Sequence, residues 1–117
     1  MAAPNIVDVT TITGKTAVMT IGTSASAIVS NSSSSGKVLK VNALYVSNVD
    51  GTDNAEVDVE IYRSSTSYHI AKTIMVPADA TLDIISKSVY LEEGDSLRLT
   101  ASASGDLEAV CSYEEIS

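Results

Sequence analysis

From Ala55 to Tyr62 the chain alternates without a slip: Val57, Val59 and Ile61 fall on one side, and Glu56, Asp58, Glu60 and Tyr62 on the other. Period two, apolar in and acidic out, predicts a half-buried antiparallel strand. The period returns from Ser96 to Ala103, with Leu97, Leu99 and Ala101 inward and Ser96, Arg98 and Thr100 outward. Val57, Val59, Ile61, Leu97, Leu99 and Cys111 are therefore expected in the core, and Glu56, Asp58, Glu60 and Arg98 on the outer face. Further β-branched runs span 6–12, 15–21, 25–30, 38–49, 68–76, 80–85, 89–91 and 107–113. Turn chemistry separates them: Thr13-Gly14, Gly22, the serine-rich loop 31–36, Asp50-Gly51 (a hairpin signal), 63–67, Pro77, 86–88, 92–95 and 104–106. Turns roughly every eight to twelve residues point to an all-β protein. The expectation is a single antiparallel β-sandwich, jelly-roll-like or Ig-like, of eight or nine strands and no helix. It spans 1–117, with 1–5 as an extended N-terminal arm.

Composition narrows the picture. A chain of 117 residues builds one core. With five Tyr and no Phe or Trp, that core must be Val, Ile, Leu and Ala. The 18 Ser and 11 Thr suit strands and turns better than helices. No run nears the ~18 apolar residues of a membrane helix. The net charge of −8 disfavours a phosphate backbone, and neither a basic cluster nor a phosphate-binding glycine loop occurs. Charge is also uneven: residues 1–49 carry Lys15, Lys37 and Lys40 against Asp8 (+2), and residues 50–117 carry fourteen acids against four bases (−10). Neither nucleic acid nor membrane is expected as a partner.

Little chemistry can be assembled. His69 is the one histidine, and no Gly-x-Ser-x-Gly elbow accompanies it, so no catalytic residue is assigned. Cys111 is the one cysteine; it excludes an internal disulfide and reads as a small core hydrophobe. Asp50 and Asp53 are weak candidates for a hard cation, but calcium wants about six to eight oxygens and the loop lacks EF-hand spacing. No cofactor is expected. The first residues have neither a charged n-region nor an apolar h-region, which predicts synthesis and folding in a reducing cytoplasm. A glycan-binding module is the rival class; its stacking platforms would be Tyr62 and Tyr68.

Four segments resemble a known family: Val38–Asn48, the acidic strand ending Ile61-Tyr62-Arg63, Ala71–Leu82 with its Val76-Pro77-Ala78 turn, and Leu91–Ala103 with Glu93-Gly94-Asp95. The close on Ser112-Tyr113-Glu114-Glu115-Ile116 completes the likeness. Together they resemble small β-sandwich virion proteins of tailed bacteriophages, especially phages of marine bacteria and cyanobacteria. The resemblance covers roughly 36–117 and, loosely, the first third. It implies a non-enzymatic virion structural protein, with a capsid decoration or cement protein as the first choice of role. A tail, neck or fibre subunit is the alternative. It implies location in the virion, self-association, commonly as trimers, and contact with other virion proteins such as the major capsid protein.

The interface candidates are Met1, Ala2, Ala3, Pro4, Asn5 and Ile6. Pro4 favours an extended arm, and apart from Met1 and Ile6 its side chains are too small to offset the entropy of folding back. The Ala-, Ser- and Thr-rich strands of the first third are candidates for edge addition against another subunit.

Overall fold

The computed structural model describes residues 4–117. Nine strands form: β1 (Ile12–Thr20), β2 (Ser26–Ser30), β3 (Val38–Asn48), β4 (Ala55–Arg63), β5 (Thr66–Val76), β6 (Thr81–Asp83), β7 (Val89–Leu91), β8 (Ser96–Ala101) and β9 (Leu107–Ile116). They build two antiparallel sheets. Sheet A has the order β1-β9-β3-β6, with β7 also paired to β3; sheet B has the order β2-β8-β4-β5. With β6 and β7 taken as one interrupted strand along β3, the chain nests its pairs from the ends inward, β1 with β9, β2 with β8 and β4 with β5. That is jelly-roll wiring rather than the Ig arrangement.

The inner faces meet in an aliphatic core. Leu44, Val46, Leu91, Leu107 and Cys111 of sheet A close on Val57, Val59, Val76, Leu97 and Leu99 of sheet B, all essentially inaccessible. The alternation of β4 and β8 thus has the expected register. Ile61 departs from it: it sits at the end of the sandwich and is only half-buried. Glu60 departs further, at 6% exposure instead of on an open surface. It does point away from the core, but Arg98 covers it, as described below.

The first third needs the largest correction. Residues 6–11 form no strand, and Thr13-Gly14 is no turn: both lie inside β1, with Gly14 extended opposite Glu114. Among the described residues before β1 none has a partner strand, and Thr10 and Thr11 alone reach the sheet, both donating to the Ser117 carbonyl at 2.9 Å. Asp50-Gly51 closes no hairpin either, because β3 and β4 belong to different sheets and this loop carries the chain between them. The tight hairpin is β4–β5, turned by Ser64 and Ser65, both at positive φ (52° and 61°). That is the geometry of a type I′ turn, which usually takes Asn-Gly.

Candidate interaction surface

The polar side chains that come together are structural. At one end of the sandwich, Asp95 lies in the turn before β8 and is 1% exposed. The Arg63 guanidinium grips it with two bonds, Nε to Oδ1 at 2.7 Å and Nη2 to Oδ2 at 2.6 Å, and also bonds Glu92 at 2.8 Å. The Glu92 amide donates to Asp95 Oδ2 at 2.8 Å. Burial drives the Asp95 pKa up, but Arg63 and that amide outweigh it, so the carboxyl titrates below its ordinary value. Bonding to Asp95 raises the Arg63 pKa in turn. Buried Asn31 ties the same corner together: its Nδ2 donates to the Lys37 and Leu91 carbonyls, and its own amide donates to the Asp95 carbonyl.

On the outer face of sheet B, Arg98 lies across its neighbours. Its Nη2 donates to Glu60 Oε1 at 3.1 Å and to Ser67 Oγ at 3.2 Å, and its guanidinium stacks 3.8 Å from the centre of the Tyr62 ring. This explains the burial of Glu60: alternation decides which face a residue takes, and a long cross-strand neighbour decides whether water reaches it. Tyr62, one of the two stacking platforms considered for a sugar, thus has one ring face occupied by the guanidinium. Tyr68 remains 59% exposed beside Ile61 and Arg63, where they line a cleft of about 240 Å³. On sheet A, Lys37 and Lys15 both bond Glu115, at 2.8 and 3.1 Å, which lowers the Glu115 pKa.

His69 pairs across from Glu60 on β5 and is not among the partners of Asp95. Asp50 Oδ1 accepts the Thr52 and Asp53 amides at 2.9 and 3.4 Å, so local turn bonds engage it. Among the described residues no three His, Cys, Asp or Glu side chains are placed to share a metal ion. Met1, Ala2 and Ala3 lie outside the described residues; Pro4 is half-buried, Asn5 exposed and Ile6 49% exposed.

Exposed apolar groups are the more informative feature. Ile6 and Val7 (90% exposed) project from the segment before β1. Val18, Val110 and Tyr45 form a row across the outer face of sheet A, in register through β1, β9 and β3. They are 74%, 39% and 43% exposed. No signal in the sequence singled out this row, because it exists only through the pairing of three strands distant along the chain.

No protein-family model matches the chain, and no curated protein matches it either. Solved structures do. One, from the Bacillus endospore appendages described as a novel family of disulfide-linked pili, aligns over 100% of this chain and 96% of its own, at 16% identity and TM-score 0.53. Another, from the acid-stable capsid of the Helicobacter pylori bacteriophage KHP30, covers 94% of this chain and 90% of its own, at 7% identity and TM-score 0.53. These likenesses establish a shared fold. The disulfide linkage of the first has no ready counterpart here. Cys111 faces the core at 0% exposure, and burial pushes its thiol up to about 11. Cys111 is therefore expected to resist a thiol reagent in the native protein and to react on unfolding. Rapid native labelling would contradict its placement.

Proposed function

We propose that this chain is a non-enzymatic structural subunit of a bacteriophage virion, and specifically a decoration or cement protein held in many copies on the outside of the head. The observation that carries the reading is the distribution of exposed apolar side chains. They lie on the segment before β1, on sheet A (Val18, Val110, Tyr45) and along the β5 edge of sheet B (Tyr68, Ile70, Ile74, Met75), spread over the surface rather than around a cleft with converging acid, base and nucleophile. Such a surface suits reinforcement of a shell by added contact area. The fold shared with a phage-capsid chain, and the resemblance of residues 36–117 to small virion sandwiches, support the same reading. Its partners are then further copies of itself and the major capsid protein, with the virion as its location.

Quantitative mass spectrometry of purified virions tests this. A copy number of the same order as the major capsid protein is expected, and one lower by an order of magnitude would move the chain to tail, neck or fibre. The arm has a separate test. Among the described residues, deleting 1–5 removes half-buried Pro4 and one turn at Asn5, which accepts the Val7 and Asp8 amides. The truncated protein should keep its melting temperature while its occupancy on particles falls. Undiminished occupancy would show that the arm is not a contact.

A further inference from the structure

The free edge of β1 is an unblunted template for another strand. Thr11 and Ser117 exchange both backbone bonds at 2.9 Å, and at the other end the Ile21 amide donates to the Leu107 carbonyl at 2.9 Å. The register between them is unbroken, so the odd residues of β1 bond β9. The amides and carbonyls of the five even residues, Ile12, Gly14, Thr16, Val18 and Thr20, therefore point to the free side. Among the described residues β1 pairs with no strand but β9.

The other edges are protected in ways β1 is not. β6 and β7 have three residues each, and β2 has five. β5 is long, but its pairing with β4 shifts register twice and Thr73 takes a positive φ of 54°, which interrupts its outward row. β1 has nine residues, no bulge, no proline and one charge, Lys15, already bonded to Glu115.

The geometry points to a second copy of this chain as the occupant, its own β1 running antiparallel across a two-fold axis at Thr16. Only a register with an even sum brings free groups to free groups, and the one centred on Thr16 uses all five. Thr16 then meets Thr16, Gly14 meets Val18, and Ile12 meets Thr20. Val18 gains cover where the facing Gly14 has nothing within 4 Å of a Cβ position. On the opposite face Lys15 meets Ala17, so no like charges stand across the seam. Charge does not oppose the pairing, because Lys15 is the one formal charge in β1 and it is bonded to Glu115. The two apolar rows, Val18-Val110-Tyr45 and its mate, would then lie on one continuous sheet face.

This deepens the structural-subunit reading and rests on it for its setting, but its test is separate. Sedimentation or light scattering at high protein concentration should give twice the 12.2 kDa of one chain. Thr16→Pro removes an amide that faces the free edge, leaving the β9 ladder and the circular dichroism unchanged, and should abolish the dimer. Thr16→Cys should crosslink with itself under mild oxidation, since facing Cα atoms in such a pair lie about 5.5 Å apart. Thr20→Cys should not, because its copies would be about 27 Å apart. A monomeric wild type, a folded Thr16→Pro that still dimerises, or crosslinking absent at 16 or equal at 20 would each overturn the pairing. Thr20 or another site crosslinking in place of Thr16 would indicate a different register or a different donated segment. Absence of the protein from virions would instead defeat the structural-subunit reading, whatever the pairing shows.

Discussion

Replacing Leu99 with Ala is expected to destabilise the protein by about 3–5 kcal/mol, as for leucine truncation in packed cores. Leu99 is wholly inaccessible in β8, an interior strand of sheet B, flanked by Ser26 of β2 and Val59 of β4. The cavity would open among Val, Leu and Ile side chains held on two hydrogen-bonded sheets. Their backbones cannot close in without breaking ladder bonds, so relaxation recovers little. For a domain of this size the loss corresponds to a melting temperature lower by roughly 4–6 °C per kcal/mol. Val18→Ala, on the outer face of β1, should change stability by less than about 0.5 kcal/mol in the monomer. Equal effects of the two substitutions, measured by denaturant unfolding, would mean that the inner and outer faces are misassigned.

The contrast between these two residues also shows what was legible in the sequence. Alternation is a local property, so β4 and β8 could be read directly, down to which of Val57, Glu56, Leu97 and Arg98 faces in. The first third could not be read that way. The run 6–12 has strand-forming residues, yet a strand also needs a neighbour, and β9 lies about a hundred positions away. β9 pairs with Ile12–Thr20, and among the described residues ahead of it the chain end at Ser117 engages only Thr10 and Thr11. Gly14 looked like a stop because glycine often marks turns, but at an edge position opposite Glu114 its missing side chain costs little. Asp50-Gly51 and Ser64-Ser65 exchanged roles for a related reason: turn propensity marks a change of direction, and topology decides whether the next strand returns to the same sheet. Of the proposed interaction surface, the arm 1–5 is an expectation drawn from its small side chains, and its first three residues lie outside the described ones. The apolar row and the parity of the β1 edge could not be anticipated, because both arise from the β1–β9–β3 register.

Arg63→Ala is expected to cost about 3 kcal/mol at neutral pH. Removing one partner from a buried ion pair costs about 3–5 kcal/mol, and the lower end applies because the Arg63 side chain is 46% exposed and partly screened. The loss falls on Asp95, left 1% exposed with the Glu92 amide as its remaining side-chain partner. Lys at position 63 should recover only part of the deficit, since a single ammonium cannot reproduce the two-bond grip on both carboxylate oxygens. The pH dependence separates this account from simple loss of packing. In the wild type the Asp95 pKa is lowered, so the unfolded chain binds its proton first. The stabilisation is full above the ordinary carboxylate range and is lost as pH falls through the lowered native value. In Arg63→Ala the guanidinium no longer opposes burial, and the native Asp95 pKa moves upward, so the variant gains relative to the wild type as the carboxyl takes up its proton. The stability gap should therefore be widest near neutrality and narrow on acidification to about pH 4. Glu115, whose lysine partners are untouched, weakens both proteins alike in acid and cancels from the difference. Paired urea titrations across that range decide the matter: a gap that stays constant, or widens in acid, would mean that Arg63 acts through its aliphatic stem and not through the Asp95 charge.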